Sequence, residues 1–171
     1  MEKLLKIKAI ITDVDGVLTD GGIIYDQQGA EIKKFNVKDG FIVAELQKLG
    51  FVIGMISGRS SAVLLKRATD LKLDFYVLGT ANKVIPYQNF KDKFRLSDDQ
   101  IAYIGDDLND LGVIGKSGFS VCPADAPEYI KNKVHFVTKS KGGKGVFREI
   151  ADMILEKQGL MTQIIEKYSQ E

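Results

Sequence analysis

The sequence predicts an α/β fold, a parallel sheet with helices on both faces and a short β-hairpin inserted after strand one. Three observations carry that expectation. Short β-branched apolar runs alternate with stretches of helical periodicity, and strand–helix–strand repeats form parallel sheets covered on both sides. The segment 21–37 breaks the alternation with two short extended runs around a polar turn. With 171 residues, 44% hydrophobic and 27% charged, the chain is long enough for one domain that buries roughly two thirds of its unfolded surface.

Taken in order, Ile7 to Thr12 reads as the first buried strand. Gly21-Gly22-Ile23-Ile24-Tyr25, the turn Asp26-Gln27-Gln28-Gly29 and Glu31-Ile32-Lys33-Lys34-Phe35 form the hairpin. Phe41, Ile42, Glu45, Leu46 and Leu49 then follow helical spacing and stop at Gly50. Phe51 to Ile56 is the second strand of the sheet, and Val63, Leu64, Arg67, Ala68 and Leu71 mark the next helix. Further strands are expected at Phe75 to Leu78, Ile101 to Ile104 and His135 to Thr138, with a helix beginning near Val146. After Gly159 the residues Leu160, Met161, Ile164, Ile165 and Tyr168 share a helical stripe, which either packs on its own domain or docks on another subunit. The expected organisation is one Rossmann-like domain over 1–171, with the hairpin at about 21–37 and a helical tail at about 160–171.

Bulk charge excludes two classes of partner. Lys and Arg number 24 against 23 Asp and Glu, without the basic footprint of a nucleic-acid binder or the clustered charge of a membrane-surface protein. No apolar run approaches the ~20 residues that span a bilayer. Cys122 has no second cysteine to pair with, and Met1-Glu2-Lys3-Leu4-Leu5-Lys6 lacks a signal peptide's apolar run. A cytoplasmic location is expected. A small phosphorylated substrate stays open.

In open α/β sheets ligands sit at the carboxyl ends of the strands, near the point where strand order reverses. That rule selects Asp13, Asp15, Ser57 and Asp106. Asp13-Val14-Asp15-Gly16 sets two carboxylates side by side, and burying both costs energy unless a cation such as Mg²⁺ neutralises them. The same residues would also make a solvated Asp-Gly turn. Gly105-Asp106-Asp107-Leu108-Asn109-Asp110 again follows an apolar run. Asp107 alone would be explained as a helix cap, but three acids and an Asn exceed what capping requires. Asp106 beside Asp13 would share a cation, with Asp110 supporting its ligands. Ser57-Gly58-Arg59 offers a hydroxyl, a glycine amide and a guanidinium fork to phosphate or carboxylate oxygens; its alternative is a plain N-cap followed by a solvated arginine. Lys83 follows the Phe75–Leu78 run and either offsets phosphoryl charge or is an ordinary surface lysine.

In this order, Asp13-Val14-Asp15-Gly16-Val17-Leu18-Thr19, Ser57-Gly58-Arg59, Lys83 and Gly105-Asp106-Asp107-Leu108-Asn109-Asp110 resemble the four motifs of the haloacid dehalogenase superfamily of phosphohydrolases. The resemblance implies that Asp13 is the nucleophile forming an aspartyl-phosphate and that Asp15 protonates the leaving oxygen and then activates water. It implies Mg²⁺ held by Asp13, the Asp15 backbone carbonyl and Asp106, a phosphoryl group held by Ser57, Gly58 and Lys83, and support from Asp107, Asn109 and Asp110. Only the hairpin stands where members carry a cap domain after the first motif, so the chain looks like the capless subgroup. There the hairpin and Lys141-Gly142-Gly143-Lys144-Gly145-Val146-Phe147-Arg148-Glu149 are similar to the 3-deoxy-D-manno-octulosonate 8-phosphate phosphatase family. That likeness implies a phosphorylated sugar acid substrate facing Arg59, and a flexible glycine-rich loop at 142–145 near the site entrance. It also implies a homotetramer, in which hairpins associate and a neighbouring subunit covers each site. Ile23, Ile24, Tyr25, Ile32 and Phe35 carry more apolar area than an isolated two-strand ribbon tolerates in water, and find cover either on a partner or on their own domain. Two alternatives remain at this point: a phosphatase of the nine-carbon 2-keto-3-deoxynononate 9-phosphate, and a non-catalytic oligomerising or regulatory module.

Overall fold

The computed structural model describes residues 2–170, so the first and last residues of the expected 1–171 domain lie outside it. Its main sheet is parallel and six-stranded. The strands are β1 (Ala9–Thr12), β4 (Val52–Ser57), β5 (Phe75–Leu78), β6 (Ile101–Ile104), β7 (Phe119–Cys122) and β8 (Phe136–Val137), in spatial order β5-β4-β1-β6-β7-β8. The hairpin strands β2 (Ile24–Tyr25) and β3 (Glu31–Ile32) pair antiparallel to each other and stand apart. All four residues of β1 are buried, as a strand covered on both faces requires.

From β1 the chain winds outward through β4 to β5, returns to β6 on the other side of β1, and winds out to β8. Strand order therefore reverses at β1. The crevice at the carboxyl ends of β1, β4 and β6 is where such a sheet binds ligands.

Helices α1 (Val37–Lys48), α2 (Ala62–Asp70), α6 (Val146–Lys157) and α7 (Met161–Ser169) cover one face. The other face carries α3 (Val84–Phe94), α4 (Leu111–Ile114) and α5 (Glu128–Lys131). In α6 the buried residues Val146, Phe147, Ile150, Ala151, Ile154 and Leu155 form one stripe, because their spacing returns them to the same side every turn. Asp39, in the first turn of α1, accepts the Arg148 N–H at 2.8 Å and joins the starts of α1 and α6. The tail helix α7 rests on α1: the Tyr168 hydroxyl donates to Glu45 at 2.8 Å, and the Phe41 and Tyr168 ring centroids lie 5.4 Å apart.

Three local differences from the sequence expectations have physical causes. Strand β7 escapes the apolar pattern because Ser120 interrupts it; the cost of burying that hydroxyl is offset by His135 Nδ1, 2.8 Å away. Phe35 does not share the hairpin's exposed apolar face. It packs against the core, with the Arg67 guanidinium 4.9 Å from its ring centroid. The glycine-rich 142–145 segment is held down: the Gly143 N–H donates to Val17 O at 2.9 Å and the Gly142 N–H to Asp125 at 3.0 Å.

Candidate active site

The crevice has a volume of about 440 Å³ and is lined by Asp13, Asp15, Ser57, Gly58, Arg59, Asp106, Asp107 and Asn109 among others. Its floor follows directly from the sheet. The Asp13 N–H donates to Ile104 O at 2.8 Å, carrying the ladder one residue past β1. The chain then turns tightly, with the Val17, Leu18 and Thr19 N–H groups all donating to Val14 O, and Val14 buried beneath. Gly16 sits at φ +85°, and a Cβ there would lie 2.0 Å from Asp106 Oδ2. Only glycine lets the Asp106 carboxylate approach this turn.

Asp106 and Asp110 enter after β6. Asp110 is fully buried and its acceptor capacity is taken up. Oδ1 receives Lys83 at 2.7 Å and the Tyr103 hydroxyl at 2.5 Å; Oδ2 receives the Asp106 and Asp107 N–H groups at 2.9 and 3.2 Å. Asp110 thereby holds the loop that presents Asp106. Asp107 caps the short 3-10 turn Leu108–Asp110 and receives the Tyr129 hydroxyl at 3.3 Å.

Lys83 is no surface lysine. Its side chain is 0% exposed and its ammonium bridges Asp13 at 2.9 Å and Asp110 at 2.7 Å. Burial alone would lower its pKa, but Asp13 and Asp110 outweigh that and hold it above the ordinary value. Ser57, buried at the end of β4, accepts the Arg59 N–H at 3.1 Å. The N-cap of α2 is Ser61, whose side chain accepts from Leu64 N–H, so Ser57 is not spent on capping.

One lysine does not neutralise this cluster. Carboxylate oxygens of Asp13, Asp106 and Asp110 all lie within 4.8 Å of one another. Burial, then the Asp110 charge, pushes Asp13 up to about 6; burial, then Asp13 and Asp110, pushes Asp106 up to about 8. With Asp110 saturated, Asp13 and Asp106 present an oxygen-only donor set with excess negative charge, which fits a hard divalent cation.

A second group of charges closes the crevice from the hairpin. Lys33 Nζ meets Asp15 Oδ1 at 2.5 Å and Glu31 at 3.1 Å. Arg59 Nη2 meets the same Glu31 oxygen at 3.1 Å, and Arg59 Nε stands 3.7 Å from Asp15 Oδ2. The sequence places Glu31 and Lys33 in the hairpin but singles out neither as a site residue. Their signal is period-two alternation, which turns both residues away from the side of the ribbon that exposes Ile32.

The haloacid dehalogenase-like hydrolase family matches residues 79–150. The 3-deoxy-D-manno-octulosonate 8-phosphate phosphatase KdsC of Haemophilus influenzae is 44% identical over 158 residues, which are 92% of this chain and 88% of that protein. The chain belongs to the phosphatase branch of the haloacid dehalogenase-like hydrolases. It is a phosphoric monoester hydrolase by that membership. Two solved members of the branch bind metals. The Moraxella catarrhalis 3-deoxy-D-manno-octulosonate 8-phosphate phosphatase, solved with magnesium, phosphate and KDO, superposes at TM-score 0.94 and 34% identity, covering 98% of this chain and 96% of that one. The cobalt-bound Haemophilus influenzae phosphatase gives TM-score 0.88 at 44% identity, covering 92% of each chain.

Proposed function

We propose that this phosphatase hydrolyses 3-deoxy-D-manno-octulosonate 8-phosphate with Mg²⁺ as its cofactor, in the cytoplasm. The observation that carries the reading is the relative at 44% identity that acts on this substrate and spans nearly the whole chain, taken with the crevice lined by Asp13, Asp106 and Ser57 and with Lys83 bound to Asp13 behind it. An Asp13 carboxylate oxygen attacks phosphorus, the ester P–O bond breaks, and Asp15 gives the leaving oxygen its proton, so the sugar acid departs as an alcohol. Water then attacks the aspartyl-phosphate, yields a proton to Asp15, and releases inorganic phosphate and free Asp13.

Lys83 has three donors, two of them engaged by Asp13 and Asp110, which leaves one for a phosphoryl oxygen. The Ser57 hydroxyl and the Gly58 amide serve the remaining oxygens. Mg²⁺ at the Asp13 and Asp106 carboxylates and the Asp15 carbonyl would offset the phosphoryl charge. Asp110 keeps Asp106 and Lys83 in place through its four hydrogen bonds, with Asp107 and Asn109 shaping the same loop.

The Arg59 side chain, 44% exposed at the crevice rim, supports a contact with the carboxylate of the sugar acid. Ile23, Ile24, Tyr25 and Ile32 expose about half their area or more. Such an apolar ribbon face fits association into a homotetramer, in which a neighbouring subunit covers each site. The test is a kcat/KM comparison across phosphorylated sugar acids and simple sugar phosphates. The eight-carbon acid should lead by tenfold or more, and equal rates across the panel would remove the role of Arg59.

A further inference from the structure

Lys33 is the least expected charge in the molecule. It belongs to the strand run of a two-stranded ribbon whose Ile24, Tyr25 and Ile32 lie largely in solvent, yet its own side chain is 0% exposed. A lysine stem on such a ribbon has every opportunity to place its ammonium in water. Here it turns inward, at a desolvation cost that only close carboxylates offset. The carboxylates are Asp15 at 2.5 Å and Glu31 at 3.1 Å.

The two oxygens of Asp15 are consequently unequal. Oδ1 accepts the Lys33 ammonium. Oδ2 accepts no hydrogen bond among the described residues, and its nearest cation, Arg59 Nε, stands at 3.7 Å. We propose that Lys33 is a positioning residue for the reaction: by holding Oδ1 it fixes the Asp15 carboxyl and reserves Oδ2 for exchanging the proton with the ester oxygen. This rests on the phosphatase reading given above. In the first half-reaction the proton on Oδ2 passes to the leaving oxygen as its bond to phosphorus breaks and the Asp13–phosphorus bond forms. In the second the attacking water returns a proton to Oδ2. Lys33 keeps its own protons throughout. The ribbon therefore joins the chemistry through one side chain, by steering an oxygen that it does not replace.

The need for that proton depends on the leaving group, and this separates positioning from mere structure. An alkyl alkoxide leaves badly without a proton, whereas 4-nitrophenolate leaves without one. Lys33→Met should lower kcat/KM for the alkyl ester 3-deoxy-D-manno-octulosonate 8-phosphate by about 100-fold, within the range of general acid catalysis, and for 4-nitrophenyl phosphate by less than about threefold. Lys33→Arg, which can still donate to Oδ1, should recover part of the alkyl-ester rate. Lys34→Met, on the exposed neighbour, controls for changes to the ribbon and should match the parent on both esters. Equal losses on both esters for Lys33→Met, or no loss on either, would overturn the assignment of Lys33 alone. A parent enzyme that hydrolyses neither ester would overturn the phosphatase reading beneath it.

Discussion

The two charged regions of the crevice are built differently. The acid cluster joins Asp13, Asp106 and Asp110, after the adjacent strands β1 and β6, to Lys83 at the start of α3, with Lys83 and Asp110 fully buried. The ring of Asp15, Lys33, Glu31 and Arg59 joins the loops after β1 and β4 to a hairpin of two-residue strands, and the Arg59 side chain is 44% exposed. The backbone ladder anchors the first at Asp13, while contacts between long side chains hold the second. In the proposed reaction the attacking carboxylate sits on the sheet platform, while proton transfer and recognition draw on the side-chain ring.

The largest expected break between the regions is in rate. On the proposed mechanism Asp13→Asn should cost on the order of 10⁴-fold or more in kcat, because it would remove the attacking oxygen's charge. Glu31→Gln, which loosens Lys33 and Arg59 but removes neither, should change kcat/KM by less than about tenfold. Comparable losses in the two variants would erase the division. Both are read by steady-state turnover of the sugar acid phosphate.

A smaller effect calibrates what burial alone does to a carboxylate. Asp39 lies outside both regions, and burial pushes it up to about 6 against an ordinary 3.8, partly countered by the Arg148 N–H and by Arg67. Its folded pKa is above its unfolded one, so the folded state binds the extra proton. Asp39 therefore costs stability as pH rises through the window from about 4 to 6. Asp39→Asn keeps the acceptor for Arg148 and should gain up to about 2–3 kcal/mol over the parent at pH 8. At pH 4 the gain should nearly vanish. Thermal melts at the two pH values check this, and a gain independent of pH would show that the charge is not its cause.

The same contrast explains what could be read from the sequence. Asp13, Asp15, Ser57 and Asp106 each follow an apolar run, so the sheet rule finds them without coordinates. The strands β1, β4, β5 and β6 are legible for the same reason, being apolar runs, although the edge strand β5 is only partly buried and exposes Tyr76. Lys83 is legible in position but not in burial, because the carboxylate that locks it, Asp110, lies 27 residues away. Lys33 and Glu31 pair with Asp15 and Arg59 across separations of 18 and 28 residues. Such pairings depend on where the ribbon folds back, which alternation alone does not specify. Strand β7 needed knowledge that His135 would satisfy Ser120.

The central claim is that Asp13 and Asp106 are kept side by side, with pKa values raised to about 6 and about 8, in order to share a divalent cation with phosphate. The most direct measurement is turnover of 3-deoxy-D-manno-octulosonate 8-phosphate by the parent enzyme after exhaustive chelation and then with Mg²⁺ restored. The account predicts loss of activity to background on chelation and full recovery with the metal. Undiminished hydrolysis by the chelated enzyme would contradict it.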